Sequence, residues 1–282
     1  MIITVINMFD QLIQEVFHTS QYTIEKLEKG LTNHNYLVHV NDELYVLRIP
    51  HEDSSHIIDR KREKIVHDLV RRLDVECIYF NEENGVKITK YEENLYEYKE
   101  CPYIDKIERC ANLMKILHSI PAPTFHFDPF KTLETYRSCV KKPLYDLSIY
   151  EDRIEAVKHF HNKEVLCHND FVSGNILFGK YRDYLIDYEY GASNDPLFDV
   201  ISFLSENNIF DKALRARFYK VYFGTMDDTL KKQLYLWEMF QNVLWCHWAM
   251  MMYESRKDKV YKEIAHEKYE ALLKMDNASL WF

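Results

Sequence analysis

Glycine is scarce in this chain, with 6 residues among 282. No G-x-G-x-x-G and no G-x-x-x-x-G-K-[ST] occurs, which removes the dinucleotide and Walker-type phosphate fingerprints. Cysteine is thinly spread as well. Cys77, Cys101, Cys110, Cys139, Cys167 and Cys246 form no C-x-x-C pair and no regular spacing, and their apolar neighbours fit buried free thiols of a reducing compartment. Long hydrophobic runs are missing: the longest, Val243–Tyr253, is broken by His247 and is too short to span a bilayer. The opening MIITVINMFD lacks a basic region and meets Asp10 too early for a secretory signal. A soluble, cytoplasmic protein is expected. No G-x-S-x-G elbow is present, so a serine hydrolase has no support.

What is present describes a folded globule. Hydrophobic residues make up 47% of the chain, which excludes a disordered polypeptide. A length of 282 lies between one large domain and two small ones. Chains of this size bury roughly 75% of their unfolded-state surface, so the core needs no disulfide or metal staple. The formal charge of -9 disfavours a nucleic acid or an anionic membrane as partner and would suit a cationic one. Aromatics reach 15%, with 21 tyrosines.

Periodicity divides the chain unevenly. Asn7–Phe17 has helical spacing, and Tyr22–Glu28, Tyr36–Val40 and Leu44–Ile49 read as strands, separated by the segment 30–35 and the turn Asn41-Asp42. Ile57–Leu73 returns to a helical period. Glu76–Phe80 and Val86–Tyr91 follow as strands turning at Asn84-Gly85. Residues 1–92 thus predict a small antiparallel sheet with one inserted helix, 93–102 a linker, and 103–282 a mainly helical lobe with a cleft between the two. The helices are expected over Lys106–Ile120, Thr132–Tyr145, Ile149–His161, Pro196–Asn207, Lys212–Phe223, Thr229–Glu254 and Lys257–Leu273. A strand pair, Ile176–Phe178 and Tyr184–Ile186, interrupts them. The class is α+β.

The densest polar cluster runs from His168 to Asn175, between the apolar pairs Val165-Leu166 and Ile176-Leu177. Asp187 follows at the end of the next strand. A polar loop pinned between strands, with a carboxylate soon after, suits phosphoryl transfer. Asp170 would orient an attacking hydroxyl and accept its proton, while Asn175 and Asp187 would hold magnesium ions bridging the nucleotide phosphates. Magnesium is hard and needs oxygen ligands, and rigid flanks matter because this catalysis is mainly positioning. The pair His159-x-His161 is a poor metal site, since helical spacing sends the two rings to different faces.

H-N-D-x-x-x-x-N, followed by I-D-Y-E-Y and N-D-P-x-x-D, resembles the kinase-like phosphotransferases of the aminoglycoside and choline kinase superfamily. The resemblance implies a two-lobed, protein-kinase-like fold and ATP as co-substrate. Within it, Gly30-Leu31-Thr32-Asn33 corresponds to the hairpin over the nucleotide, with Thr32 and Asn33 closing on phosphate. Relatives often carry two glycines there. Arg48 stands where the family has Lys or Arg, and Ile88–Glu92, with Lys90 and Tyr91, would be the hinge that reads adenine. His168 and Asp195 become structural residues, and Asp199 the one that braces the catalytic loop.

Two further expectations can be tested within the chain. Glu63 continues the stripe of Val66, Val70 and Leu73, so it either faces inward to pair with Arg48 or belongs to the solvated run Asp59–Lys64. Trp245, Trp248 and Met252 share one helical face, with Tyr253, Tyr261 and Tyr269 beyond. A tryptophan pair at that spacing is commonly core. Choline kinases are similar in carrying W-x-x-W in a late helix, where it forms half of an aromatic cage; Tyr188-Glu189-Tyr190 would supply the rest. The resemblance implies phosphorylation of choline. Other small cationic alcohols (ethanolamine, thiamine, aminoglycosides) remain as alternatives, as does a catalytically silent ligand-binding module.

Overall fold

Alternating apolar residues in three successive segments build the first sheet: β1 (Thr23–Leu27), β2 (Asn33–Val40) and β3 (Glu43–Pro50). In the computed structural model, which describes residues 2–27, 33–50, 58–160 and 164–277, the chain forms two compact units. One comprises Met1–Tyr96 with Leu177–Tyr190, the other Glu97–Ile176 with Gly191–Phe282. The sequence assigns 103–282, strand pair included, to one lobe. In the structure the segment 177–190 packs with the first unit.

The first unit adds α1 (Ile2–Phe17), α2 (Arg60–Leu69), β4 (Cys77–Phe80) and β5 (Lys87–Lys90). The sheet is antiparallel in the order β1-β2-β3-β5-β4. Phe9 and Ile13 of α1 pack on Val38, Val40, Tyr45, Leu47 and Ile88 to make its core. The β2–β3 hairpin turns through Asn41 and Asp42, both at positive φ, which short polar side chains tolerate. Helix α2 is shorter than the Ile57–Leu73 predicted. Asp59 caps its start by accepting the Lys61 and Arg62 N–H groups, and the helix closes at Leu69. The predicted stripe survives, because Val70 and Leu73 turn inward after the helix ends and stay buried. The chain leaves this unit through the two-residue strand β6 (Tyr96–Glu97).

The second unit contains α3 (Lys106–Ser119), α4 (Pro129–Cys139), α5 (Glu151–Phe160), β7 (Val165–Cys167), β10 (Ala192–Asn194), α6 (Pro196–Glu206), α7 (Lys212–Tyr222), α8 (Asp228–Arg256) and α9 (Lys259–Asn277). Between β7 and β10 lies the hairpin β8 (Ile176–Phe178) and β9 (Asp183–Leu185), whose Leu185 N–H donates to Leu73 O at 2.8 Å within the first unit. Helix α4 was expected over Thr132–Tyr145. It starts earlier because Asp128 caps it with Pro129 in the first turn, and it ends before Pro143, which has no N–H and disfavours the helical conformation before it. The α8–α9 joint falls at Lys257, whose left-handed φ of 57° breaks the run. The strand β10 was not foreseen; it is three residues long and pairs with β7.

Long helix α8 buries Leu234, Trp237, Phe240, Val243 and Leu244 and packs against α4, α5, α6 and α9. Four cysteines are buried free thiols as expected, but Cys139 is exposed and Cys77 half-buried. Among the described residues no helix is long and apolar enough to cross a membrane.

One buried ion pair fastens α7 to α8. Arg215 donates to both oxygens of Glu238 at 2.7 and 2.6 Å, and each side chain is only 3% exposed. Glu238→Ala leaves the guanidinium uncompensated and is expected to cost about 3–5 kcal/mol. Urea unfolding measures this; a loss below about 1 kcal/mol would mean the pair behaves as a solvated one.

Candidate active site

Strand β3 and helix α2 place Arg48 and Glu63 inside the first unit. Arg48 of β3 pairs with Lys87 of β5, and its Nη2 donates to Glu63 Oε1 at 2.5 Å. The inward reading of Glu63 therefore holds, and the solvated one falls: its side chain is 1% exposed. Arg48 Nη1 also donates to Asp187 Oδ1 at 2.6 Å and lies 3.3 Å from Glu189 Oε1. Burial works against the charge on Arg48, but Asp187, Glu63 and Glu189 together hold its pKa above the ordinary arginine value.

A second arginine completes this cluster. Arg60 Nη1 bridges Glu63 Oε2 at 2.7 Å and Glu189 Oε1 at 2.9 Å. Asn33 Nδ2 donates to the same Glu189 oxygen at 3.2 Å. Burial and the neighbouring Asp187 raise the Glu189 pKa, and Arg48 and Arg60 oppose them. Two guanidinium groups thus face three carboxylates. Of the three, Asp187 is the most exposed, at 27%, and its backbone is left-handed, with φ 67°.

Glu189 was expected as a counter-charge for a cationic acceptor. The structure places it among the arginines, where its charge is already matched. Tyr190 is half-buried at the end of the same segment. Lys90 and Tyr91 use their N–H groups on Glu76 O and Leu44 O, at 2.8 and 2.9 Å. The Lys90 ammonium lies 3.8 Å from Glu43. Gly30, Leu31 and Thr32 lie outside the described residues.

In the second unit, the pairing of β7 with β10 anchors the polar loop. Asp170 follows Asn169, whose φ is 65°. Asn175 Nδ2 donates to Asp170 O at 2.9 Å and to Asp170 Oδ2 at 3.1 Å, so the loop's two ends are tied together. Asp199 of α6 is fully buried and accepts the N–H groups of His168 and Asn169 at 2.7 and 2.8 Å. Asp195 caps α6 through Leu197 N–H. His168 is fully buried beside Phe171.

The late aromatic residues form a wall in this unit. Trp248 meets Trp245 edge to face at 6.2 Å and Tyr261 at 5.6 Å. Trp245 and Trp248 are half-buried, whereas Trp237, one helical stretch earlier, is fully buried core. Tyr261 is buried, and its hydroxyl accepts from Arg256 at 2.9 Å. His159 Nδ1 lies 2.7 Å from the helix carbonyl of Glu155.

Sequence reasoning missed Arg60. In the sequence Arg60 stands only as one member of the run Asp59–Lys64. Its position three residues before the inward Glu63 was the available signal.

The sequence pattern of the phosphotransferase enzyme family (APH) matches residues 23–230. The chain belongs to this family. It is 28% identical over 285 residues to Protein LicA of Haemophilus influenzae, covering 93% of this chain and 83% of that one. Among solved structures, choline kinase LicA from Streptococcus pneumoniae superposes with a TM-score of 0.75 at 23% identity, covering 95% of this chain and 98% of the other. A choline/ethanolamine kinase family protein from Mesorhizobium loti gives a TM-score of 0.77 at 20% identity, with 96% of each chain covered. The α+β, kinase-like fold of these phosphotransferases is the fold of this chain.

The phosphotransferase's arginine cluster depends on a turn. Gly85 has φ 73°, its carbonyl accepts from Arg48 Nη2 at 3.3 Å, and an added Cβ would lie 2.4 Å from Arg60 Nε. Gly85→Ala is expected to destabilise by about 1–3 kcal/mol through the left-handed backbone and the displaced guanidinium. Combining it with Arg60→Ala should cost less than the sum of the single changes. Strict additivity in urea unfolding would show that the two residues do not constrain each other.

Proposed function

We propose that the protein transfers the γ-phosphoryl group of ATP to the hydroxyl of choline, giving phosphocholine and ADP. Family membership supports the reaction type. The observation that carries the acceptor is the wall of Trp245, Trp248 and Tyr261, in which two tryptophans keep ring surface exposed on a helix that otherwise buries its tryptophan. A trimethylammonium group donates no conventional hydrogen bond and is held by ring faces. Tyr190 is the further aromatic assigned to the acceptor. With Glu189 matched by arginines, attraction for the cation rests on the rings.

Asp170 accepts the hydroxyl proton as the choline oxygen attacks phosphorus, and Asn175 holds the Asp170 carboxylate in register. Arg48, oriented by Glu63, binds nucleotide phosphate, and Thr32 and Asn33 close over it. The stretch containing Lys90 and Tyr91 takes the adenine. The residues also fit magnesium. Asn175 spends its amide nitrogen on Asp170, which leaves Oδ1 as its metal-facing atom. Asp187 is the exposed member of a cluster with one excess negative charge, which a hard cation would balance. Bound with ATP, magnesium would neutralise charge on the transferring phosphates.

Asp170→Ala should lower turnover at least ~100-fold, the lower range for a positioned proton acceptor. Asp187→Ala should abolish magnesium-dependent turnover while circular dichroism stays unchanged. Activity of Asp187→Ala within a few-fold of wild type would remove it from the metal site.

The acceptor is decided by steady-state assays with magnesium-ATP and choline, ethanolamine, thiamine or kanamycin. Choline should exceed ethanolamine in kcat/KM by at least ~10-fold, which requires only about 1.4 kcal/mol from ring contacts. Trp248→Ala should raise the choline KM about 10-fold or more with the ATP KM nearly unchanged. Preference for another acceptor, or normal choline binding by a destabilised Trp248→Ala protein, would overturn the choline reading.

A further inference from the structure

Arg60 is the first residue of α2, directly after the capping Asp59. A cation there opposes the positive end of the helix dipole, so helix stability does not explain it. Its side chain is 5% exposed and turns to carboxylates instead of to solvent. Nη1 donates to Glu63 Oε2 at 2.7 Å and to Glu189 Oε1 at 2.9 Å, while Nε and Nη2 are buried without a partner among the described residues. Burying idle donors costs stability. What this guanidinium contributes in return is positive charge beside Glu63 and Glu189.

Arg48 uses the same two carboxylates. Its Nη2 donates to Glu63 Oε1 at 2.5 Å and to Gly85 O at 3.3 Å. Its Nη1 lies 2.6 Å from Asp187 Oδ1 and 3.3 Å from Glu189 Oε1. Both terminal nitrogens are engaged, so a phosphate oxygen that approaches them must displace an existing partner. We propose that Arg60 is a positioning residue for the nucleotide, holding Glu63 and Glu189 so that Arg48 Nη1 can pass from Glu189 to phosphate. The distances favour that exchange. Glu189 is the most distant of Arg48's three carboxylates, and Arg60 is closer to the same oxygen, so Glu189 stays paired when Arg48 leaves it. Without Arg60, Arg48 alone faces three carboxylates in a buried setting, where opposite charges hold each other far more strongly than in water.

A metal is the competing reading of this cluster, because Glu63, Asp187 and Glu189 bring carboxylate oxygens within 4.8 Å of one another. Both oxygens of Glu63 and Oε1 of Glu189 already accept guanidinium N–H groups. Glu63 is 1% and Glu189 4% exposed, against 27% for Asp187. The two buried carboxylates serve the arginines, and only Asp187 faces outward.

The inference rests on the reading of Arg48 as a phosphate-binding residue and is independent of the acceptor. Its test is isothermal titration calorimetry of ADP into the full-length protein with EDTA present, so that neither metal nor acceptor enters. Arg60→Ala should weaken ADP about 10-fold or more, because Arg48 is then held by its carboxylates. On an Arg48→Ala background the same change should cost less than about 2-fold, since Arg60 acts through Arg48. Adding Glu189→Gln to Arg60→Ala restores the original excess of one negative charge and should recover most of the lost affinity. Arg60→Lys and Arg60→Gln separate charge from packing: lysine should stay within about 3-fold of wild type, and glutamine should lose as much as alanine. They also decide the matter if circular dichroism shows Arg60→Ala unfolded. Normal ADP binding by Arg60→Ala or Arg60→Gln overturns the proposal, as does full additivity with Arg48→Ala or failure of Glu189→Gln to rescue. Weak binding by Arg48→Ala beside normal binding by Arg60→Ala removes Arg60 alone. Normal binding by Arg48→Ala removes the phosphate-binding reading itself, and the proposal with it.

Discussion

Two guanidinium groups opposing three carboxylates in the first unit are the constraint on which much else hangs. Charges removed from water carry desolvation penalties of several kcal/mol each, repaid only by close and well-directed partners. Arg48 and Arg60 meet that demand by sharing: each contacts Glu63, and each contacts Glu189. The sum leaves one excess negative charge. The imbalance is tolerated because Asp187, the carboxylate with only one arginine, retains contact with solvent. A cation arriving at Asp187 would complete the neutralisation.

The sheet, its inserted helix and the helical remainder were legible because their signals are local. Alternation with Asn-Asp and Asn-Gly turns marks hairpins, and a period of 3.6 marks amphipathic helices. The polar loop His168–Asn175 was legible for a different reason: its polar residues are compressed into one stretch between apolar strands. The Arg48–Glu63 pair could be inferred because a carboxylate on an apolar stripe demands a partner. In each case one short window of sequence contains the whole argument.

What was not legible needed information from distant residues. Arg60 looks like one more cation in Arg60–Lys64, and only the arrival of Glu189 from a hairpin far along the chain reveals its purpose. The same event changes the sense of Glu189, whose aromatic neighbours suggested an acceptor site. Strand β10 escaped notice because three polar or small residues, Ala192–Asn194, have no strand pattern of their own and pair only because β7 is already there. Helix ends were misplaced where capping outweighed periodicity, at Asp59 and Asp128.

The two hairpin turns of the first sheet therefore have unequal freedom to drift. Asn41 and Asp42 satisfy a backbone requirement that several small polar residues can meet, so that turn is open to neutral exchange. Gly85 answers to two demands at once, a left-handed backbone and the flat face of a guanidinium resting where a side chain would begin. Its carbonyl is also an acceptor for Arg48. A turn on the rim of a sheet would ordinarily be among the most variable places in a protein. Here it should be nearly frozen among relatives that keep an arginine at the equivalent of Arg60, and released in those that have lost it.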